Sequence, residues 1–156
     1  VLQKRVQVAQ NYSAYVELAR YYKMRYDKEN WRKTLDAFLK TPPTGLEHAR
    51  VRVDIAEHLM ANQQWDEALP YANAAASSYA EWAMWTAVKC YEGQGDLLNA
   101  ETWVRRIEDR YGRQVHTEWL KKHGLKPGDP LPGPGQARPR QQPDSTRELP
   151  RAKATK

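Results

Sequence analysis

VRVDIAEHLMANQQWDEALPYANAAA (residues 51–76) and AMWTAVKCYEGQGDLLNAETWVRRIE (residues 83–108) are two copies of one pattern, 32 residues apart, within the stretch from Val51 to Gly112. Ala56, Leu59, Trp65, Ala68 and Ala72 of the first copy align with Val88, Tyr91, Leu97, Ala100 and Val104 of the second. A fixed period of this length is the mark of a repeat architecture. In the first copy Val51, Val53, Ile55, Ala56, Leu59 and Met60 recur at the spacing of one helix face. After the polar gap Ala61–Gln64, a second stripe follows in Trp65, Ala68, Leu69, Ala72, Ala75 and Ala76, whose small side chains let two helix backbones approach closely. The pattern predicts two antiparallel helices joined by a tight turn. The second copy repeats it, with Gly93-Gln94-Gly95 as the turn and Asp96 capping the helix that follows. Thr44 with Glu47, and Ser78 with Glu81, have the spacing of capping boxes that would open the first helix of each copy.

These residues resemble the tetratricopeptide repeat (TPR) family. Ile55-Ala56, Leu59, Trp65, Ala68, Ala72 and Ala75 stand where that family places its signature residues, and Ala87-Val88, Tyr91, Leu97, Ala100, Val104 and Ile107 do so again. The period is 32 residues instead of the family's about 34. Ala80 and Gly112 replace its proline after the second helix, and Val88 is large where a small residue is usual.

Towards the N-terminus, Leu2, Val6, Ala9, Val16, Ala19 and Tyr22 keep helical spacing, which one long helix or two with a break near Asn11 to Ser13 would satisfy. Tyr15, Leu18-Ala19 and Tyr22 resemble the first helix of another hairpin. Its partner would hold Trp31, Leu35, Phe38 and Leu39, capped by Asn30 and stopped by Thr41-Pro42-Pro43. Pro70, just past the first turn of its helix, predicts a kink or a later helix start. After Gly112, Val115, Trp119, Leu120 and His123 predict one last helix, with Lys121 and Lys122 on its outer face, closing the apolar end of the array.

From Gly124 the composition changes. Seven of the 10 prolines lie there, Leu125, Leu131 and Leu149 are the only large apolar residues, and seven basic residues face three acidic ones. Such a segment buries too little apolar surface to offset its ordering entropy. The expected architecture is therefore all-α: antiparallel helical hairpins stacked as a short TPR-like α-solenoid of about seven helices over residues 1–123. A disordered, Pro-rich basic tail is expected over 124–156.

With a formal net charge of +6 in 156 residues, the chain is moderately basic. No run approaches the roughly 18 consecutive apolar residues of a membrane span. No signal peptide is visible, and because the chain begins at Val1, an N-terminal segment is expected to have been removed or left out. The single cysteine, Cys90, excludes an intramolecular disulfide and fits a reducing compartment such as the cytoplasm.

Catalytic chemistry is not expected. His48, His58, His116 and His123 form no metal-binding i, i+4 pair, Glu57-His58 reads as a polar helix face, and Cys90 reads as a buried small hydrophobe. Gly93-Gln94-Gly95 lacks the strand-turn-helix context of a phosphate loop. No cofactor is expected.

What the resemblance implies is a surface: in the TPR family the first helix of each hairpin lines a concave groove. Carried over, its groove positions are Ser13, Val16, Arg20 and Lys23; then Arg50, Val53, Glu57 and Met60; then Trp82, Trp85, Lys89 and Glu92. Apolar anchors beside cations would suit a protein or peptide partner bearing a carboxylate. Trp82 and Trp85 could equally seal the joint between hairpins. The alternative is attachment to nucleic acid or another polyanion through the tail, although the tail has no aromatic side chain for base stacking.

Overall fold

The computed structural model describes Gln3, residues 11–43 and residues 45–136. Seven α-helices occupy them: α1 (Tyr12–Met24), α2 (Lys28–Leu39), α3 (Glu47–Ala61), α4 (Trp65–Ala76), α5 (Glu81–Gln94), α6 (Leu97–Tyr111) and α7 (Val115–Lys122). The described residues contain no strand. Each helix packs against the next, and α3 also meets α5, an order consistent with stacked hairpins. Most turns are too short for anything but antiparallel neighbours.

The first helix starts at the N-cap Asn11, whose Oδ1 accepts the Ala14 N–H at 2.9 Å. This cap falls within the expected Asn11 to Ser13 break, while Leu2, Val6 and Ala9 lie outside the described residues. Asp27, not Asn30, caps α2: its Oδ1 accepts the Asn30 N–H at 3.1 Å, and its Oδ2 takes the Asn30 side-chain amide at 2.7 Å. Those two bonds hold the Asp27 carboxyl below its usual value.

Of the expected capping boxes, one involves Thr44, outside the described residues, and the other does not form. Ser78 belongs to the end of α4, where its hydroxyl donates to the Ala75 carbonyl at 2.7 Å. The cap position of α5 falls instead to Ala80, which makes no side-chain bond, and Glu81 pairs with Arg113 at 2.8 Å. The other helix, α4, begins at Trp65 and runs through Pro70 without interruption, so the start is not delayed.

One turn geometry recurs four times. The N–H groups of Asp27, Gln64, Asp96 and Leu125 donate to the carbonyls of Tyr22, Leu59, Tyr91 and Leu120, each five residues back. Tyr26, Gln63, Gly95 and Gly124 stand just before the donors with φ of 57°, 60°, 76° and 67°. This is the Schellman closure of a helix, in which a left-handed residue lets the chain reverse and satisfies the last carbonyls. Tyr22, Leu59 and Tyr91 are the positions aligned from sequence, and Leu120 adds α7 to the series.

Ile55, Ala56, Ala68, Ala72, Met84, Ala87, Ala100, Val104 and Ile107 are all fully buried in one continuous core. Where α3, α4 and α5 meet, Ala49, Ala75 and Ala83 form a second small cluster beneath Val53 and Ala80. Alanine at all three places brings the backbones close, which is why α4 can be almost all alanine on its inner face.

Gly124 ends α7 but not the packed body. Leu125 and Leu131 are half-buried against the core, the Leu98 N–H donates to the Pro132 carbonyl at 3.2 Å, and Gly133 is buried beside Leu98. Two leucines and one backbone bond tie residues 125–133 to the body as a strap, which turns at residues 127–128 where Lys126 and Asp129 bond each other, although the surrounding composition is that of an unstructured chain. The expectation of disorder for the remainder concerns residues 137–156, outside the described residues. Leu131→Ala is expected to lower stability by about 1–2 kcal/mol, roughly half the loss at a fully buried leucine. Urea unfolding checks this, and an unchanged midpoint would mean that the strap is not held by that side chain.

Candidate interaction face

The first helices α1, α3 and α5 present the residues that the sequence assigned to a groove. Ser13, Arg20, Lys23, Arg50, Glu57 and Lys89 are exposed, and Val16, Val53 and Trp85 are half-buried. Trp82 is 39% exposed, too open to be only a seal between hairpins. Two assigned positions do not serve. Met60, 9% exposed, belongs to the core, because it stands one helical turn after the fully buried Ala56 and continues its inner stripe. Glu92 is taken up by α7: its Oε1 accepts the Trp119 indole N–H and meets His123 Nε2, both at 2.7 Å, and Lys122 approaches its other oxygen at 3.6 Å.

Between the hairpins these helices form a cleft of about 440 Å³, lined by Tyr12, Arg50, Val53, Asp54 and Trp82. The Arg50 guanidinium lies 5.9 Å from the centre of the Trp82 ring, a cation on an aromatic face. Asp54 keeps accessible surface but sits low in the cleft. Loss of water there, with Glu57 alongside, raises its carboxyl above the usual value, and Lys23 pulls the other way. Further along, Trp85 meets α7 in an apolar groove of about 370 Å³ with Val115, Glu118, Trp119 and Lys122. The face is thus two separate depressions, with Trp82 in one and Trp85 in the other.

Sequence reasoning missed Tyr12, Asp54 and the α7 residues. Tyr12 follows the Asn11 cap and Asp54 lies one helical turn beyond Arg50, so both could have been placed on this face once the helix start was known. A larger cavity, about 750 Å³, opens elsewhere, among the turns at the ends of α3 and α5 and the residues Pro134 and Gly135 that follow the strap. Its polar rim is internally bonded, as Gln94 donates to Asp66 at 2.7 Å and Gln64 to Glu67 at 3.0 Å.

Each histidine makes a structural contact. His48 bonds the Thr41 carbonyl at 3.0 Å and lies against Phe38; His58 lies on Trp31; His116 meets Glu101 at 2.6 Å; and His123 meets Glu92. Cys90 is fully buried, and burial, followed by the charge of Asp66, pushes its thiol up to about 11. At neutral pH it therefore carries no thiolate to act as a nucleophile. No helix among the described residues is long and apolar enough to cross a membrane. Compared with protein-family models, curated proteins and solved structures, the chain finds no match in any of the three.

Proposed function

We propose that the chain is a TPR-like protein-interaction module that holds a peptide or partner segment along the face of α1, α3 and α5. The observation that carries this reading is the cleft in which Arg50 and Val53 of one hairpin meet Trp82 of the next. An open tryptophan offers an apolar anchor, and the adjacent guanidinium offers charge to an acidic group. Anchor and charge come from different helices, so a bound segment would cross from one hairpin to the next and be read by both. The partner chemistry that fits is an apolar side chain close to a carboxylate.

Selection from a random peptide library on the immobilised protein tests this. Retained sequences should combine an apolar residue with nearby Asp or Glu. Trp82→Ala should weaken them by about 2 kcal/mol, or roughly thirtyfold, at every salt concentration. Arg50→Ala should weaken them chiefly at low salt, because exposed charges are screened beyond about 10 Å at 0.1 M salt. Circular dichroism should be unchanged in both variants. If Trp82→Ala lowers the melting temperature by many degrees while selected peptides still bind, the tryptophan is a joint residue and the reading fails.

A further inference from the structure

A further depression, separate from the cleft and sharing only Lys23 with the assigned groove positions, lies where the ends of α1 and α3 meet the start of α2. It measures about 200 Å³ and is lined by Lys23, Tyr26, Lys28, Trp31 and His58. Its floor is the Trp31 ring, 6% exposed, with the His58 ring lying on it at 4.6 Å between centroids. Its rim carries two ammonium groups: Lys23 from the last turn of α1 and Lys28 from the first turn of α2.

Two local rules are broken at this rim, and both breaks bring the same chemistry to one place. Tyr26 holds the left-handed position of its turn, with φ 57° and 89% exposure, where the equivalent turn after α5 has Gly95 and the one after α3 has the smaller, unbranched Gln63. A large side chain there is strained, and its ring is not compensated by burial. Lys28 opens α2, where the unpaired N–H groups already favour a negative charge and repel a cation. Local rules broken together without a packing gain are expected where a site is maintained. Burial first, and then the positive charges of Lys28, Lys23 and Arg32, press the His58 imidazole below its usual value. Arg32 itself is committed to Asp36 and to the Tyr71 hydroxyl, whereas Lys23, whose charge also reaches Asp54, and Lys28 line the pocket itself.

We propose that this pocket binds a small organic anion carried on a single planar ring, with the ring against Trp31 and His58 under Tyr26, and the acid group between Lys23 and Lys28. The volume decides the size. Pockets for drug-sized ligands run from about 300 to 1,000 Å³, whereas 200 Å³ admits one ring and its acid group.

The test is titration of the whole chain with benzoate, followed through the ring protons of His58 by NMR. Benzamide (the ring without charge) and inorganic phosphate (charge without a ring) are run in parallel. Benzoate should shift His58 with saturation in the micromolar to low-millimolar range, and both controls should bind at least about tenfold more weakly. Lys28→Gln should weaken benzoate about tenfold without changing the melting temperature by more than a few degrees. Tyr26→Gly should raise the melting temperature, because glycine removes the strain, and should weaken benzoate at the same time. Benzamide binding as tightly as benzoate, or phosphate binding as tightly, overturns the proposal. So does an absence of His58 shifts, or a Tyr26→Gly variant that is stabilised with unaltered benzoate affinity.

Discussion

Replacing Ile55 with alanine should lower the stability of the fold by about 2–5 kcal/mol, more than any change at the exposed face. Ile55 is fully buried at the centre of α3, the helix that touches its hairpin partner α4 and the next first helix α5. Ile55 shares one core with Ala68, Ala72 and Ala87, all fully buried small residues on the helices that α3 packs against. Those helices have little room to collapse into the void left by the removed carbons, which favours the upper part of the range. For a domain of this size each kcal/mol corresponds to about 2–8 °C in melting temperature. Urea unfolding should show a shifted midpoint with an unchanged slope, since the surface exposed on unfolding stays the same. Trp82→Ala in the same assay should cost far less. If the two variants were equally destabilised, the assignment of Ile55 to the core and Trp82 to the face would be wrong.

The second large effect is expected at Gly93, and its sign is opposite to what helix propensity predicts. Gly93 lies in the last turn of α5 with an ordinary helical backbone, a place where alanine normally gains about 1 kcal/mol over glycine. Here a Cβ would meet Trp65 Cε3 and Cζ3 at 2.3 Å, far inside contact distance. A rigid, half-buried indole at the start of α4 cannot swing away as the end of a lysine could. Gly93→Ala should therefore destabilise by about 1–3 kcal/mol, the usual range for overpacking. Combining it with Trp65→Leu should cost clearly less than the sum of the two single changes, because the smaller side chain removes the clash. Strict additivity of the two would show that the ring moves aside freely and that the close approach is not a constraint.

Gly93 also shows where reading the sequence stops. Placed in Gly93-Gln94-Gly95 it looks like part of a turn, and only Gly95, at φ 76°, has that role. The helix in fact continues to Gln94. Glycine is required at 93 by a ring 28 residues earlier in the chain, a partner no local pattern names. The same limit explains Glu92. Its helical position is that of a groove residue, but Trp119 and His123, 27 and 31 residues away, claim its carboxylate.

What the sequence determined by itself are the features set within one or two helical turns. Apolar residues at helical spacing placed α3 to α7, small residues marked the inner face of α4, and the 32-residue copy paired the helices into hairpins. Asp96 was legible as a cap, because a capping carboxylate acts three residues away, at 3.1 Å from the Asn99 amide. Tertiary structure alone decided which residues of the first helices stay open. It buried Met60, divided the face into a cleft at Trp82 and a groove at Trp85, and brought Tyr12 beside Arg50. It also laid residues 125–133 back over the body, against the composition of the surrounding chain. The physical reason is range: helix formation and capping depend on neighbours a few residues apart, whereas openness depends on how rigid helices meet, and that is fixed by close contacts between residues distant in the chain.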